Sequence, residues 1–185
     1  MNITGKGMKF RWLNNAGFEM ELSSGKHLLV DPWLDEAQIY PISINEIERA
    51  DYVLLTHTHD DHSDSIGRIQ KRFPQAAIFV GDLSAEALCK EYDLNVERLF
   101  RIRGGEEYEF DDVKIEVISA RHTESKGGNY WDRGYCIQKD GSRRETMGYG
   151  SLEMYNFRIT DVNGYRAVVW GGMTTEEQIH RMEKY

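Results

Sequence analysis

Several features are scarce or missing in this sequence, and each absence removes a class of protein. Only two cysteines occur, Cys89 and Cys136. They lie far apart and form no CxxC pair, so they cannot build a disulfide framework, and reduced thiols in a cytoplasm are the simpler expectation. Three prolines in 185 residues exclude a Pro-rich low-complexity chain. No apolar run approaches the roughly 20 residues needed to span a bilayer. Met1 to Arg11 contains no apolar stretch of the secretory type. Positive charge is also short: 23 Lys and Arg face 31 Asp and Glu, a formal net charge of −8. An acidic balance disfavours nucleic acid, whose phosphates want basic faces.

What remains is a mixture suited to one folded domain over residues 1–185, with 40% hydrophobic and 29% charged residues. Lys9 to Leu13, Phe18 to Leu22 and His27 to Val30 read as a β-meander, punctuated by Asn14-Asn15-Ala16-Gly17 and Ser23-Ser24-Gly25. Tyr52 to Leu55 and Ala77 to Val80 are continuous apolar strands, the kind buried on both faces. Ser43 with Glu46 has capping-box spacing, and Ile66, Ile69 and Phe73 share one helical face. Ser84 can cap a helix through Tyr92. Tyr108 to Ala120 reads as a hairpin around Asp111-Asp112. Asn163-Gly164 between Tyr155–Thr160 and Tyr165–Trp170 is a type I′ hairpin signal. Residues 123–150 are polar and Gly-rich, a long loop expected to overhang a site. Thr174 with Glu177 opens a last helix.

Chemistry concentrates in Thr56-His57-Thr58-His59-Asp60-Asp61-His62, between a buried strand and a helix. On extended backbone, His57 and His59 point to the same side. Asp61 and His62 fall where the chain turns into the helix and can face the same space. Imidazoles and a carboxylate are the donors that zinc, iron and manganese accept. With 6 His in 185 residues, this arrangement arises by accident in roughly a few chains per ten thousand. His122 leaves the strand Val113 to Ala120 much as His57 leaves the strand at 52–55. Donors at the exits of buried strands can converge on one crevice.

His57-x-His59-x-Asp61-His62 resembles the signature of the metallo-β-lactamase superfamily. Trp12-Leu13-Asn14-Asn15-Ala16-Gly17-Phe18, Leu29-Val30-Asp31-Pro32 and Ala50-Asp51-Tyr52-Val53-Leu54-Leu55-Thr56 are similar to its ascorbate-6-phosphate lactonase-like branch. The resemblance implies an α/β fold of four layers, an αββα sandwich with metals at one edge. It implies that His57, His59 and His122 hold a first metal and that Asp61 and His62 belong to a second. Asp31 is implied as a supporting residue beside the site.

The resemblance also has gaps. The family places a bridging Asp after its last hairpin strand, where Gly172 stands here in Trp170-Gly171-Gly172-Met173-Thr174. A last family His is also missing, since the only later one, His180, falls in an expected surface helix. Relatives generally continue for another strand–helix section, so a fragment, a divergent member and a chain completed by pairing with another copy all stay open. The cofactor expected is a divalent metal, zinc before manganese or iron, strong at one site and weak or absent at the second. Asp61 is the candidate catalytic base. The expected function is a cytoplasmic, homo-oligomeric hydrolase in which metal-activated water attacks a small ester, lactone or phosphoester. The alternative is a metal-binding relative without turnover. Lys126, Arg133, Lys139, Arg143 and Arg144 could meet an anionic group, and Tyr130, Trp131 and Tyr135 an apolar one.

Overall fold

The computed structural model describes residues 7–35, 37, 42–122, 153–172, 176 and 179–180, together with the backbone of strand residues 2–3, 132–137 and 143–147. The chain opens with four antiparallel strands in sequential order: β1 (Asn2–Ile3), β2 (Lys9–Asn14), β3 (Gly17–Glu21) and β4 (His27–Val30). Three parallel strands extend this sheet beyond β4: β5 (Tyr52–Leu54), β6 (Ala77–Gly81) and β7 (Leu99–Ile102). Helices α1 (Asp60–Ser63) and α2 (Ile66–Arg72) join β5 to β6, and α3 (Ala85–Tyr92) joins β6 towards β7. Ser43 and Glu46 make a full capping box around the single 3-10 turn Ile44–Glu46.

Then come β8 (Glu107–Glu109), β9 (Val113–Ala120), β10 (Asp132–Ile137), β11 (Arg143–Met147), β12 (Met154–Asp161) and β13 (Arg166–Val169). The second sheet has the order β13-β12-β9-β8 and is antiparallel throughout. β10 and β11 pair with each other in a two-stranded sheet, so the stretch read as a continuous loop contains regular structure. Its polar composition hid that pairing, because these residues carry no strong apolar alternation. The remainder of that stretch, with Lys126, Tyr130, Trp131 and Lys139, lies outside the described residues, as do the side chains of Arg133, Tyr135, Arg143 and Arg144.

The core follows from which face each strand buries. Met20, Leu22, Leu28, Val30, Leu54 and Phe79 of the first sheet meet Val113, Ile115, Val117, Phe157 and Ile159 of the second. Leu13, Leu29, Val53, Ile78 and Val80, on the opposite face of the first sheet, pack against Ile66, Ile69, Ala85 and Leu88 of the helices. Burial of each such side chain stabilises by about 1.5–3 kcal/mol. The central parallel strands are therefore apolar on both faces, as their unbroken hydrophobic runs require. After Gly172, the described residues Glu176, Ile179 and His180 are helical. No helix among the described residues is long and apolar enough to cross a membrane.

Two local expectations change. Gly164 has a φ of +79°, but Asn163 is not in the positive-φ region, so the β12–β13 turn is not type I′. Gly164 N donates to Asp161 O and Asp161 N to Tyr165 O, both at 2.9 Å, the pattern of a three-residue loop with glycine at its bulge. The Asp161 carboxylate decides this, accepting from the backbone N–H of Asn163 at 3.0 Å and of Tyr165 at 2.9 Å. Ser84 precedes α3 without a side-chain cap bond. Instead, Glu153 Oε1 accepts from Ser84 N at 2.8 Å, placing a negative charge at the helix start.

Candidate metal centre

The parallel strands β4 and β5 leave the first sheet at one edge, and the candidate site forms there. Asp31 follows β4 directly and is 1% exposed. Its φ of +42° is a conformation that Asp tolerates better than most side chains. Its Oδ1 accepts from Thr56 N at 2.7 Å, and its Oδ2 accepts from Thr56 Oγ1 at 2.6 Å. Having given its proton to Asp31, Thr56 Oγ1 can only accept from His57 Nδ1, 3.0 Å away. The proton of a neutral His57 therefore sits on Nδ1, and Nε2 keeps its lone pair for a ligand.

His57 and His59 extend from the exit of β5 on the same side, with ring centroids 4.7 Å apart and His57 Nε2 3.0 Å from His59 Nδ1. His122, two residues past β9, comes from the other sheet. Its ring centroid lies 5.1 Å from that of His57 and 4.8 Å from that of His59. One ligating nitrogen from each of the three residues lies within 4.8 Å of the others. Two nitrogens bound to one tetrahedral zinc at about 2.1 Å lie about 3.4 Å apart. Closing the widest pair by up to about 1.4 Å, shared between two side chains, brings the three imidazoles onto a single ion.

Asp61 and His62 lie on α1. His62 is 9% exposed, and its ring centroid is 3.9 Å from that of His57. His62 Nδ1 is 2.9 Å from Asp31 Oδ2, an ion-pair contact without the alignment of a full hydrogen bond. His62 Nε2 faces Asp61 Oδ1 at 3.7 Å. Asp61 Oδ2 accepts from Asn15 Nδ2 at 2.7 Å. All six residues singled out in the sequence thus stand in one neighbourhood. Sequence reasoning missed the role of Thr56, which joins Asp31 to His57. It also missed Asn15, which was readable only as a turn residue.

The electrostatics suit a cation receptor. Burial, followed by the neighbouring imidazoles of His62, His59 and His122, holds His57 far below its usual range. Burial and His122 bring His59 down to about 4, against the opposing pull of Asp61. Burial opposes protonation of His62, but the adjacent Asp31 carboxylate outweighs it and raises that residue. His57 and His59 are therefore neutral at pH 7, the form that binds metal.

The Gly171–Gly172 segment closes the other side of the edge. Both glycine N–H groups donate to Asn156 Oδ1, at 2.8 and 3.0 Å. Tyr155 N donates to Thr56 O at 2.9 Å, tying the two sheets together beside the site. A Cβ on Gly172 would come 2.8 Å from Arg121 O and would run into the Met154 thioether. The position where the family resemblance places a carboxylate therefore has no room for one. His180 is exposed.

The β-lactamase superfamily domain matches this chain over residues 9–147. A UPF0173 metal-dependent hydrolase of Aeropyrum pernix is 34% identical over 96 residues, covering 50% of this chain and 39% of that protein. One from Sulfurisphaera tokodaii is 28% identical over 116 residues, covering 62% of this chain and 51% of that protein. The chain thus spans about half the length, or less, of these curated relatives. Among solved structures, the isothiocyanate hydrolase from Delia radicum gut bacteria superposes with a TM-score of 0.64 at 20% identity, covering 96% of this chain and 67% of that one. A possible metal-dependent hydrolase from Veillonella parvula gives a TM-score of 0.63 at 14% identity, covering 95% of this chain and 66% of that one. These structural likenesses concern the fold.

Proposed function

The chain belongs to the β-lactamase superfamily, and on that footing we propose that it is a metal-dependent hydrolase with a divalent ion on His57, His59 and His122. The observation that carries this reading is the meeting of three imidazoles from two sheets, with their ligating nitrogens within 4.8 Å of one another. Zinc suits three imidazoles best, with manganese or iron as the other candidates. When bound, such an ion supplies a water acidified to near neutral pH and Lewis acidity for a carbonyl or phosphoryl oxygen.

The protein's own groups do the rest. Asp31 and Thr56 keep the proton of His57 on Nδ1, so that Nε2 stays a donor. Asp61, with one oxygen facing His62 and its charge acting on His59, is the carboxylate that would take the proton of the attacking water. The substrate class proposed is a small ester, lactone or phosphoester. The proposal extends to a cytoplasmic location and to self-association. Val168, 45% exposed on the edge strand β13, supports the latter.

The test is zinc counting on the purified chain beside hydrolysis of 4-nitrophenyl acetate, a lactone panel and bis(4-nitrophenyl) phosphate. About one zinc per chain, with turnover that disappears in His59→Ala, supports the hydrolase. Bound zinc with no hydrolysis favours the second reading, a metal-binding member without turnover. That reading has its own support in the crowding at Gly172, which removes a carboxylate from the second metal position.

A further inference from the structure

Asp61 has a half-exposed side chain, 43% accessible, on a helix of four residues. An exposed carboxylate samples several rotamers, whereas a base works only when aimed at the proton it removes. The tip of the β2–β3 hairpin supplies the restraint. Asn15 Nδ2 donates to Asp61 Oδ2 at 2.7 Å across 46 positions of sequence. Asn15 is itself held on two sides: its carbonyl accepts from Trp12 Nε1 at 3.0 Å, and its N–H donates to Asn14 Oδ1 at 2.8 Å. Its φ of +40° aims the side chain, in a conformation that Asn adopts with little penalty. The hairpin is seated against the site, because a Cβ on Gly17 would come 2.8 Å from Asp31 O.

We propose that Asn15 is a positioning residue for Asp61, fixing one carboxylate oxygen so that the other, at 3.7 Å from His62 Nε2, faces the metal centre. In a chain where Gly172 stands in place of the bridging carboxylate, this amide takes over the orienting part that a second cation would otherwise have. The inference rests on the hydrolase reading for its catalytic consequence and on geometry alone for the contact itself.

The experiment therefore has two arms on the full chain. Asn15→Asp keeps the shape and the positive φ but replaces the donor by a second carboxylate, and Asn15→Gly keeps the turn and removes the amide. In the first arm, the metal-free chain is labelled with nitrogen-15. The side-chain amide pair that vanishes in Asn15→Gly is assigned to Asn15. It moves in Asp61→Ala, while the Trp12 indole signal stays in place. An amide pair that ignores Asp61→Ala overturns the proposal. In the second arm, zinc-loaded chains are assayed with bis(4-nitrophenyl) phosphate and 4-nitrophenyl acetate. Both Asn15 variants keep one zinc and a KM within about twofold, while kcat falls by about tenfold, a part of what a positioned base contributes. Unchanged kcat in both variants, or loss of the zinc, overturns it. A wild-type chain that binds zinc and hydrolyses neither probe sinks the hydrolase reading instead. The amide signal then decides alone whether Asn15 holds Asp61.

Discussion

Asp31 accepts both hydrogen bonds that Thr56 can donate, the backbone N–H at 2.7 Å and the hydroxyl at 2.6 Å. One buried carboxylate thereby sets a threonine rotamer, a histidine tautomer and the place of His62. Asp31→Ala should leave these buried groups unmatched. The expected loss is about 2–4 kcal/mol of stability and about 10–100-fold in zinc affinity. Asp31→Asn, which tolerates the same backbone conformation, should lose less of both. Urea unfolding and zinc competition against a chelator measure the two quantities. Wild-type zinc affinity in Asp31→Ala would show that the Thr56 link does no orienting.

Loading the centre should stabilise the fold. With free zinc at about 100 times its dissociation constant the gain is about 2.7 kcal/mol. For a chain of this size that corresponds to roughly 5–10 °C in melting temperature. His122→Ala should abolish the zinc-dependent rise while melting near the zinc-free wild type. Scanning calorimetry with zinc and with EDTA decides it, and a full zinc shift in His122→Ala would remove that residue from the ligand set.

The pH dependence of the zinc-free chain has a defined sign. Burial and neighbouring imidazoles hold His57 low and His59 near 4 when folded, against about 6.5 when unfolded. The unfolded chain thus binds more protons between about pH 4 and 6.5, and stability rises with pH across that window. It is complete above the unfolded value and lost on acidification. His62 acts in the opposite sense. Its folded value is raised beside Asp31, so its contribution is present below about pH 6.5 and fades as pH climbs through the folded value. The urea midpoint of the zinc-free wild type should therefore climb from about pH 4.5 to 6.5, with a shallower climb in His59→Gln. Equal slopes in the two proteins would refute the assignment to His59.

Restoring a carboxylate at Gly172 should fail on steric grounds. Arg121 O lies 2.8 Å from where the new Cβ would stand, and backbone yields less readily than a thioether. Gly172→Asp is expected to cost about 1–3 kcal/mol through overpacking, with no second zinc gained. Gly172→Asp combined with Met154→Ala should recover only part of the stability. Inductively coupled plasma spectrometry and melting curves check both points. Two zinc ions bound by the single variant would contradict the crowding argument.

Much of the fold is legible in the sequence because its main elements carry local patterns. Unbroken apolar runs at 52–55 and 77–80 mark central strands, and alternation at 113–117 marks a strand between a core and an outer face. His57 and His59 can be grouped because a two-residue step on extended backbone puts both rings on one side, and His122 because strand exits share an edge. Asn15 could not be found that way. Its partner is 46 residues distant, and Asn14-Asn15 carries the composition of any tight turn. The turn at 161–165 departs from the Asn-Gly pattern because the Asp161 side chain, outside that pair, dictates its backbone. The β10–β11 pairing escaped for want of apolar alternation.

His57 and His59 hang from one sheet and His122 from the other. An ion held by all three is thus a rivet through both halves of the sandwich, next to the main-chain stitch from Tyr155 to Thr56. Emptying the centre would loosen a seam as well as remove reactivity. Hydrogen exchange in β12 should quicken on demetallation, while the far end, clasped by Asp161 and Ser23, keeps its pace. Metal supply would then govern how long the molecule survives proteolysis, through the same three rings that could hold the cation.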